Sequence, residues 1–395
     1  MPNQMNEAPS KLKGLVLRPL AATTYLLRNG SKTIPLTGAI ILAVLLVSGI
    51  VAMMNSIPYS IRNVYKYAQE SLAVGPRGDP TLTPEFVSVI KHESPVPLER
   101  LILVRSVPSY VKSIVGKWPF FVVGLEQEDM DFFMKRQHVT KLDGHLPEPD
   151  EAGAVISEPV ARNLGLHLGS KLLDPTNQDS YSPQVVKVVG IVHTDRWLMF
   201  MDIEYERANH FPPIDIALAY AKTPDDQYKL GSWAIKRFKG GRAQVFAYQL
   251  LESDTNDNFA ILYKILDVVV GMLVLVVTFM MGMLINIYQS QRLVEFGLLQ
   301  AIGYTKRQLL GRVIKETVYV LLLGWVLGLA LAYAMLHIVN AILMYPHAFS
   351  LVPNDLIAYR YTVPIPIAIL VVGVLTVVLR FRKFDPVGVV ERRLV

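Results

Sequence analysis

The stretch that decides the fold is QRLVEFGLLQAIGYTKRQLLGRVIK, residues 291–315, which lies between two long apolar runs. Apolar residues recur along its first half at three-residue steps: Leu293, Phe296, Leu299 and Ile302. This spacing gathers apolar side chains on one face and predicts an amphipathic helix. Gly303 and Thr305 then predict the end of that helix and the start of another, because glycine tolerates chain reversal and threonine caps N-termini.

Four apolar runs around this stretch are long enough to cross a membrane, for which about 20 residues are needed. They cover residues 34–54, 268–288, 318–343 and 361–379. Apolar residues make up 52% of the 395-residue chain. Charged residues make up 18%, which is below the average of about 25% in soluble proteins. The sequence therefore predicts four transmembrane helices.

Basic residues near the ends of these spans indicate the orientation of the chain. The segments before span one, between spans two and three, and after span four carry 15 basic and five acidic residues. Residues 57–259 carry 22 basic and 26 acidic residues. Because Lys and Arg collect on the cytoplasmic side, both termini are predicted to be cytoplasmic and residues 57–259 extracytoplasmic. Topology accounts for the net charge of +6, so no nucleic-acid partner is predicted.

The predicted fold is an α-helical membrane protein with four transmembrane helices and a large extracytoplasmic α+β domain inserted between helices 1 and 2. The predicted segments are a cytoplasmic amphipathic segment (1–33), transmembrane helix 1 (34–56), the α+β domain with its stalks (57–259) and transmembrane helix 2 (260–289). They continue with a cytoplasmic helix (290–312), transmembrane helix 3 (313–344), an extracytoplasmic loop (345–360), transmembrane helix 4 (361–380) and a cytoplasmic tail (381–395). For residues 12–27, a plain basic tail is an equally good interpretation.

Local patterns predict several elements of the α+β domain. Strands are expected over residues 101–105, 120–124, 151–156, 185–192 and 214–221. Helices are expected over 83–92, with Thr83 as its cap, over 129–138, over 157–164 and over 244–253. The chain contains no cysteine, so this domain must rely on its own core rather than on disulfides.

The sequence gives no convincing pattern for an enzyme active site or a metal site. The sequence contains no G-x-x-x-x-G-K-[ST] motif and no G-x-S-x-G elbow. Its eight histidines lack metal-binding spacing, and its acidic clusters are typical of solvated loops. The apolar cluster of residues 197–201 has two interpretations: core packing is the default, and a contact surface for a lipidic substrate or a partner is the alternative.

These residues and this architecture resemble the MacB/FtsX-type ABC transporter permeases. The resemblance is most specific in the ten residues Arg292, Glu295, Phe296, Gly297, Leu298, Leu299, Ala301, Ile302, Gly303 and Tyr304. It is looser in the α+β domain, at residues 161–166 (ARNLGL) and 188–192 (VVGIV). The resemblance implies that the ten residues belong to a coupling helix that docks onto a separate ATPase subunit. An amphipathic helix lying among lipid headgroups is the alternative interpretation.

The resemblance also implies a set of partners in a bacterial inner membrane. ATP and Mg would bind to the ATPase subunit, with no cofactor and no catalysis in this chain. A second permease subunit would complete a homodimer or a related heterodimer in contact with membrane lipid, with or without a periplasmic adaptor. On the docking surface, the ATPase would bury Phe296, Leu298, Leu299 and Ile302, with Arg292 and Glu295 as charges at the rim.

The implied function is the permease subunit of an ATP-driven transporter that works by mechanotransmission. ATP hydrolysis on the partner would move the extracytoplasmic domain and drive export or extraction of a substrate such as a lipid, lipoprotein, peptide or drug-like molecule. The alternative is a regulator that transmits the same motion to a cell-wall hydrolase or a signalling partner and transports nothing.

Overall fold

The computed structural model describes residues 30–114, 116–177 and 182–382. The predicted N-terminal amphipathic segment and C-terminal tail therefore lie outside the described residues, except for residues 30–33 and 381–382. The chain divides into two compact units. Among the described residues, the helical unit comprises 30–51, 267–334 and 355–382, and the α/β unit comprises 52–266 and 335–354.

The elements are numbered in chain order. The first are α1 (Gly30–Val64), β1 (Leu72–Pro76), α2 (Thr83–Glu93), β2 (Leu98–Ser113), β3 (Gly116–Leu125), α3 (Gln127–Arg136), β4 (Lys141–Gly144), β5 (Gly153–Ser157), α4 (Glu158–Leu164), β6 (Lys171–Leu173) and β7 (Val186–His193). They are followed by β8 (Met199–Asp202), α5 (Ile203–Ala208), β9 (Asp215–Ala221), α6 (Pro224–Arg237), β10 (Ala243–Phe246), α7 (Tyr248–Gln291), α8 (Leu293–Ala301), α9 (Lys306–Val339), α10 (Leu356–Arg360) and α11 (Pro364–Arg382).

Four helical stretches are long and apolar enough to cross a membrane: Thr33–Gln69, Tyr248–Gln291, Lys306–His347 and Leu356–Arg380. Each contains one of the four apolar runs seen in the sequence. The last span begins regularly at Pro364 because a proline in the first helical turn needs no backbone N–H donor. The predicted class, a four-helix membrane protein with an α+β domain between the first two spans, is confirmed.

The α/β unit is built on a β-α-β-β-α-β pattern. Strands β10, β1, β9 and β2 lie side by side in that order, and all neighbours are antiparallel. Helix α2 connects β1 to β2, and helix α6 connects β9 to β10. This is the strand order of ferredoxin-like domains. The second and third strands of the pattern are separated by a long insertion, β3 to β8.

The insertion continues the same sheet. Strands β2 and β3 form a long hairpin, with Arg105 opposite Gly124 and Ser113 opposite Gly116. Strand β3 then pairs with β8 in parallel, and β8 pairs with β5, which pairs in parallel with β7. Strands β4 and β6 both pair with β7. The two parallel pairings make the sheet mixed.

The apolar cluster of residues 197–201 is buried, as its default interpretation predicted. Trp197, Met199 and Met201 pack in one core cluster with residues of β3, β5 and α4. Leu198 and Phe200 pack in another with residues of α3 and β9. The side chains alternate between the two clusters because successive side chains of an extended backbone point to opposite faces.

Two expectations from the sequence need correction. The helix expected over 244–253 starts later, at Tyr248, because residues 243–246 form β10 and pair with β1, with Phe246 opposite Ala73. Tertiary pairing overrides local propensity there. Thr83 is the first residue of α2 rather than its cap, and its hydroxyl donates to the carbonyl oxygen of Asp215 (2.7 Å).

Candidate functional site

The residues between the second and third spans form a short helix, a tight turn and a new helix. Helix α8 ends in two backbone hydrogen bonds, from Gly303 N to Gln300 O (3.0 Å) and from Tyr304 N to Leu299 O (3.0 Å). This is the Schellman arrangement, which requires a left-handed residue, and Gly303 supplies it with φ of 103°. The helix end predicted from Gly303 is therefore confirmed.

Helix α9 begins with a capping box. The Thr305 hydroxyl accepts from the backbone N–H of Gln308 (3.4 Å), and the Gln308 side chain accepts from the backbone N–H of Thr305 (2.9 Å). The two reciprocal bonds satisfy donors that a helix N-terminus otherwise leaves without partners. The start predicted from Thr305 is confirmed, and only two residues, Tyr304 and Thr305, separate Gly303 from α9.

A network of two arginines and two glutamates joins α8 to α9. Arg292 Nη1 donates to Glu316 Oε2 (2.6 Å), and Arg292 Nε donates to Glu295 Oε2 (3.1 Å). Arg312 Nε donates to Glu316 Oε1 (3.1 Å). Arg292 and Glu316 are both buried, so water solvates neither charge. Each charge depends on its ion-pair partners instead.

The surroundings of Arg292 keep it charged. Burial by itself would lower the pKa of the guanidinium, but the hydrogen bonds that it donates to Glu295 and Glu316 outweigh burial and hold the pKa above its usual value. The guanidinium carbon also lies 4.9 Å from the centre of the Phe296 ring, a cation–π distance. Arg292 thus fixes the start of α8 through three side chains at once.

The ten residues singled out from the sequence fall into two sets. The buried set packs inside the helical unit and consists of Arg292, Phe296, Gly297 and Leu299. The exposed set consists of Leu298, Ala301, Ile302 and Gly303, with Glu295 and Tyr304 half-buried between the two. Leu298 is 59% exposed and Ile302 is 73% exposed, and their spacing of four places them on one face.

Residues 268–386 match the family FtsX-like permease C-terminal. This match covers α8, the turn, α9 and the remaining spans. This region is therefore similar to the C-terminal region of FtsX-like permeases. The resemblance stated from the sequence is confirmed for residues 268–386.

No curated protein matches this chain. The solved structures that are similar to it at low identity include three domains. The periplasmic region of MacB from Actinobacillus actinomycetemcomitans is 10% identical, with 49% of this chain and 94% of that chain covered and a TM-score of 0.27. The extracellular domain of the noncanonic ABC-type transporter YknZ from Gram-positive bacteria is 12% identical, covering 44% and 98%, with a TM-score of 0.25. A domain of a putative permease from Porphyromonas gingivalis is 15% identical, covering 45% and 90%, with a TM-score of 0.22.

The geometry of α8 changes the roles expected for three predicted residues. Phe296 and Leu299 were expected to be buried by a partner, yet both are already buried within the helical unit. Arg292 was expected at the rim of a docking surface, yet it is 5% exposed and is held by Glu295 and Glu316. Periodicity alone does not reveal that these three side chains are buried within the chain.

The predicted site residues did not include two members of the network, Glu316 and Arg312. The guanidinium of Arg312 bonds Glu316 and lies 3.9 Å from Glu295. A signal for them was available, because Arg312 and Glu316 are four residues apart and Arg292 and Glu295 are three apart. Both spacings bring opposite charges together on a helix face.

Proposed function

We propose that this permease receives ATP-driven motion from a separate ATPase subunit through α8 and transmits it to the α/β unit. The motion would drive export or extraction of a substrate on the far side of a bacterial inner membrane. The orientation behind this proposal is the predicted one, with both termini in the cytoplasm and the α/β unit outside. ATP and Mg would be held by the ATPase subunit and not by this chain.

The observation that carries the proposal is the exposed apolar pair Leu298 and Ile302 on a firmly anchored helix. Two large apolar side chains project from a helix that Arg292 and Glu316 hold in place. A partner can bury such side chains without first ordering the helix. Lys306 and Arg307 are also exposed at the start of α9. An apolar centre with charges at its edge is the usual composition of a protein interface.

The helices around this surface are suited to carrying motion over a distance. Helix α7 ends at Gln291, next to Arg292, and has 44 residues. A bilayer requires about 20 residues, and at 1.5 Å per residue α7 is roughly 66 Å long. Helix α1 has 35 residues and also exceeds the length of a span. Both helices continue without a break beyond what the membrane needs.

A second permease subunit is part of the proposed assembly. Among the small residues of α1 and α7, a Cβ added to Gly38 or Gly271 would meet no atom within 4 Å. By contrast, Gly324 and Gly328 of α9 already pack against Ile40 and Val44 within the chain. Gly38 and Gly271 are therefore the candidates for close helix packing against another copy or a related chain. A periplasmic adaptor would be an additional partner on the outer side.

The proposal is tested by replacing both exposed apolar residues of α8 with charges. We expect the double variant Leu298→Glu/Ile302→Glu to lose co-purification with a co-expressed ABC ATPase subunit. Stimulation of ATPase activity should fall at least about tenfold, since loss of an interface hot spot costs about 2 kcal/mol or more. Phe296 is unsuitable for this test because its replacement would disturb the interior of the helical unit.

The matched control is Tyr228→Glu, which introduces the same charge at a 64% exposed side chain of α6 in the α/β unit. This control should assemble and stimulate as the unmodified permease does. Unchanged assembly and unchanged stimulation in the double variant would contradict docking through α8.

A further inference from the structure

A small cavity in the helical unit lies beside the buried pair Arg292 and Glu316, both of which line it. The other lining residues come from α1, α7 and α9, and all of them belong to the helical unit. Most of these side chains are apolar, as Ile40 and Leu321 are, but Gln289 of α7 brings an uncharged polar group. The cavity therefore joins an apolar interior to the charged network that anchors α8.

The size of the cavity limits its occupant. The space open to the centre of a water molecule is about 70 Å³. One water molecule needs roughly 10–15 Å³ of such space, and it also needs polar partners, since apolar cavities stay dry. The cavity therefore has room for a small cluster of water molecules, and the polar groups of its lining decide whether water enters.

Gln289 gives the cavity a hydrogen-bond acceptor that the chain does not satisfy. This residue is 7% exposed, and its Oε1 has no hydrogen-bond partner among the described residues. A buried polar atom without a hydrogen bond is unfavourable, and most such atoms in proteins are bonded either to protein or to ordered water. The amide oxygen of Gln289 therefore requires a donor from outside the chain.

Two neighbouring side chains of α9 add further acceptors. The carboxyl oxygens of Glu316 accept one bond from Arg292 and one from Arg312, and a carboxylate offers about four acceptor sites. The Thr317 hydroxyl, which also lines the cavity, donates to a backbone carbonyl oxygen one turn earlier (2.9 Å), so its own oxygen is able to accept. With Gln289, the lining supplies the two to four polar partners that a buried water molecule needs.

We propose that this cavity binds a small cluster of ordered water molecules that connects Gln289 of α7 to Glu316 of α9. Water suits the site because it donates two hydrogen bonds, and the polar groups named above offer acceptors. The cluster joins the end of the long helix α7 to the charged network that anchors α8. As part of a route for motion this assignment rests on the proposed function; as a hydration site of the helical unit it stands separately.

The experiment is X-ray hydroxyl-radical footprinting of the full chain in phosphatidylglycerol nanodiscs, in which no lipid carries an ammonium donor. Radicals formed from a bound water molecule oxidise the side chain beside it, and tandem mass spectrometry measures the oxidation of each methionine. Met281 lines the cavity and is 0% exposed, whereas Met130 of α3 is equally buried and lies outside this cavity. We expect Met281 to be oxidised at least about tenfold faster than Met130, because only Met281 lies beside the proposed water.

A variant of Gln289 tests which group holds the water. Gln289→Leu replaces the unsatisfied amide with an apolar side chain, so the oxidation of Met281 should fall towards the rate of Met130. The matched control is Thr278→Val in the same helix. Thr278 is 7% exposed and its Oγ1 is also unsatisfied among the described residues, but it lies outside the cavity. This control should leave the oxidation of Met281 unchanged.

Equally slow oxidation of Met281 and Met130 in the unmodified chain would overturn the proposal, because the cavity would then be dry or filled by lipid. Fast oxidation of Met281 that persists in Gln289→Leu would also overturn it, since solvent would then reach the sulfur without the proposed cluster. The first comparison needs no variant, so it decides the matter even if Gln289→Leu fails to fold. No ATPase subunit is needed, so failure here is distinguishable from failure of the coupling proposal, which the variants at Leu298 and Ile302 test.

Discussion

Glu206 is the most unusual single residue of the α/β unit. It is fully buried in α5, and neither carboxyl oxygen has a hydrogen-bond partner. Burial raises its pKa to about 9, and the nearby charge of Arg105 opposes this only in part. Glu206 is therefore a neutral acid at physiological pH, a state that no local sequence pattern indicates.

The raised pKa of Glu206 predicts a specific dependence of stability on pH. The folded state binds this proton more tightly than the unfolded state, whose pKa is near 4.5. The stabilisation is complete below that value and is lost as pH rises towards 9, by up to about 1.4 kcal/mol per pH unit. We expect Glu206→Gln to remove this slope in thermal unfolding of the full chain in detergent at pH 5, 7 and 8.

The control for this prediction is Glu204→Gln, two residues away and exposed. This variant should keep the pH dependence of the unmodified chain. Parallel pH profiles for Glu206→Gln and the unmodified chain would show that Glu206 does not bind a proton on folding.

The buried carboxyl group of Glu206 leaves no room for a side chain at Gly124. A Cβ at this position would lie 2.3 Å from Glu206 Oε2 and 2.6 Å from its Cδ. Gly124→Ala should therefore lower the unfolding free energy of the α/β unit by roughly 1–3 kcal/mol, as overpacking of a core does. Gly241→Ala, whose nearest neighbour atom would lie 3.4 Å away, should change it far less. Equal melting temperatures for the two variants would contradict the predicted clash.

At the scale of elements, the junction of α8 and α9 depends on the buried pair Arg292 and Glu316. Removing one partner leaves the other charge buried with only its weaker neighbour, Arg312 for Glu316 or Glu295 for Arg292, and costs up to about 3–5 kcal/mol. We expect Arg292→Ala and Glu316→Ala each to lower the thermal stability of the full chain strongly. The double variant should be less destabilised than the sum of the two, because neither member of the buried pair is left.

Glu295→Ala is the internal comparison for this double-mutant cycle. Glu295 is more exposed than Glu316, and solvent exposure weakens an ion pair, so its loss should cost less. Additive losses in the Arg292/Glu316 cycle, or a loss at Glu295 as large as at Glu316, would contradict the importance of the buried pair.

The same junction illustrates what sequence can predict. The end at Gly303 and the start at Thr305 were predictable because each rests on hydrogen bonds between residues at most five apart. The burial of Phe296 within the helical unit was not, because it depends on tertiary packing. The exposed face of Leu298 and Ile302 became distinct only once the buried set was known.

At the scale of the whole molecule, composition and charge predicted the membrane spans and the position of the α/β unit between them. The pairing of β1 with β9 joins segments more than 130 residues apart, and the insertion between β2 and β9 hides the β-α-β-β-α-β pattern from a local search.

The central claim for the whole molecule is that α8 contacts a separate ATPase subunit. Because the chain has no native cysteine, single-cysteine variants need no background changes. The most direct measurement is cross-linking of Ile302→Cys to a co-expressed ABC ATPase subunit, beside Leu168→Cys in the α/β unit. We predict an efficient permease–ATPase cross-link from residue 302 and none from residue 168. A stable complex that gives no cross-link from residue 302, or gives equal cross-linking from both positions, would contradict the claim.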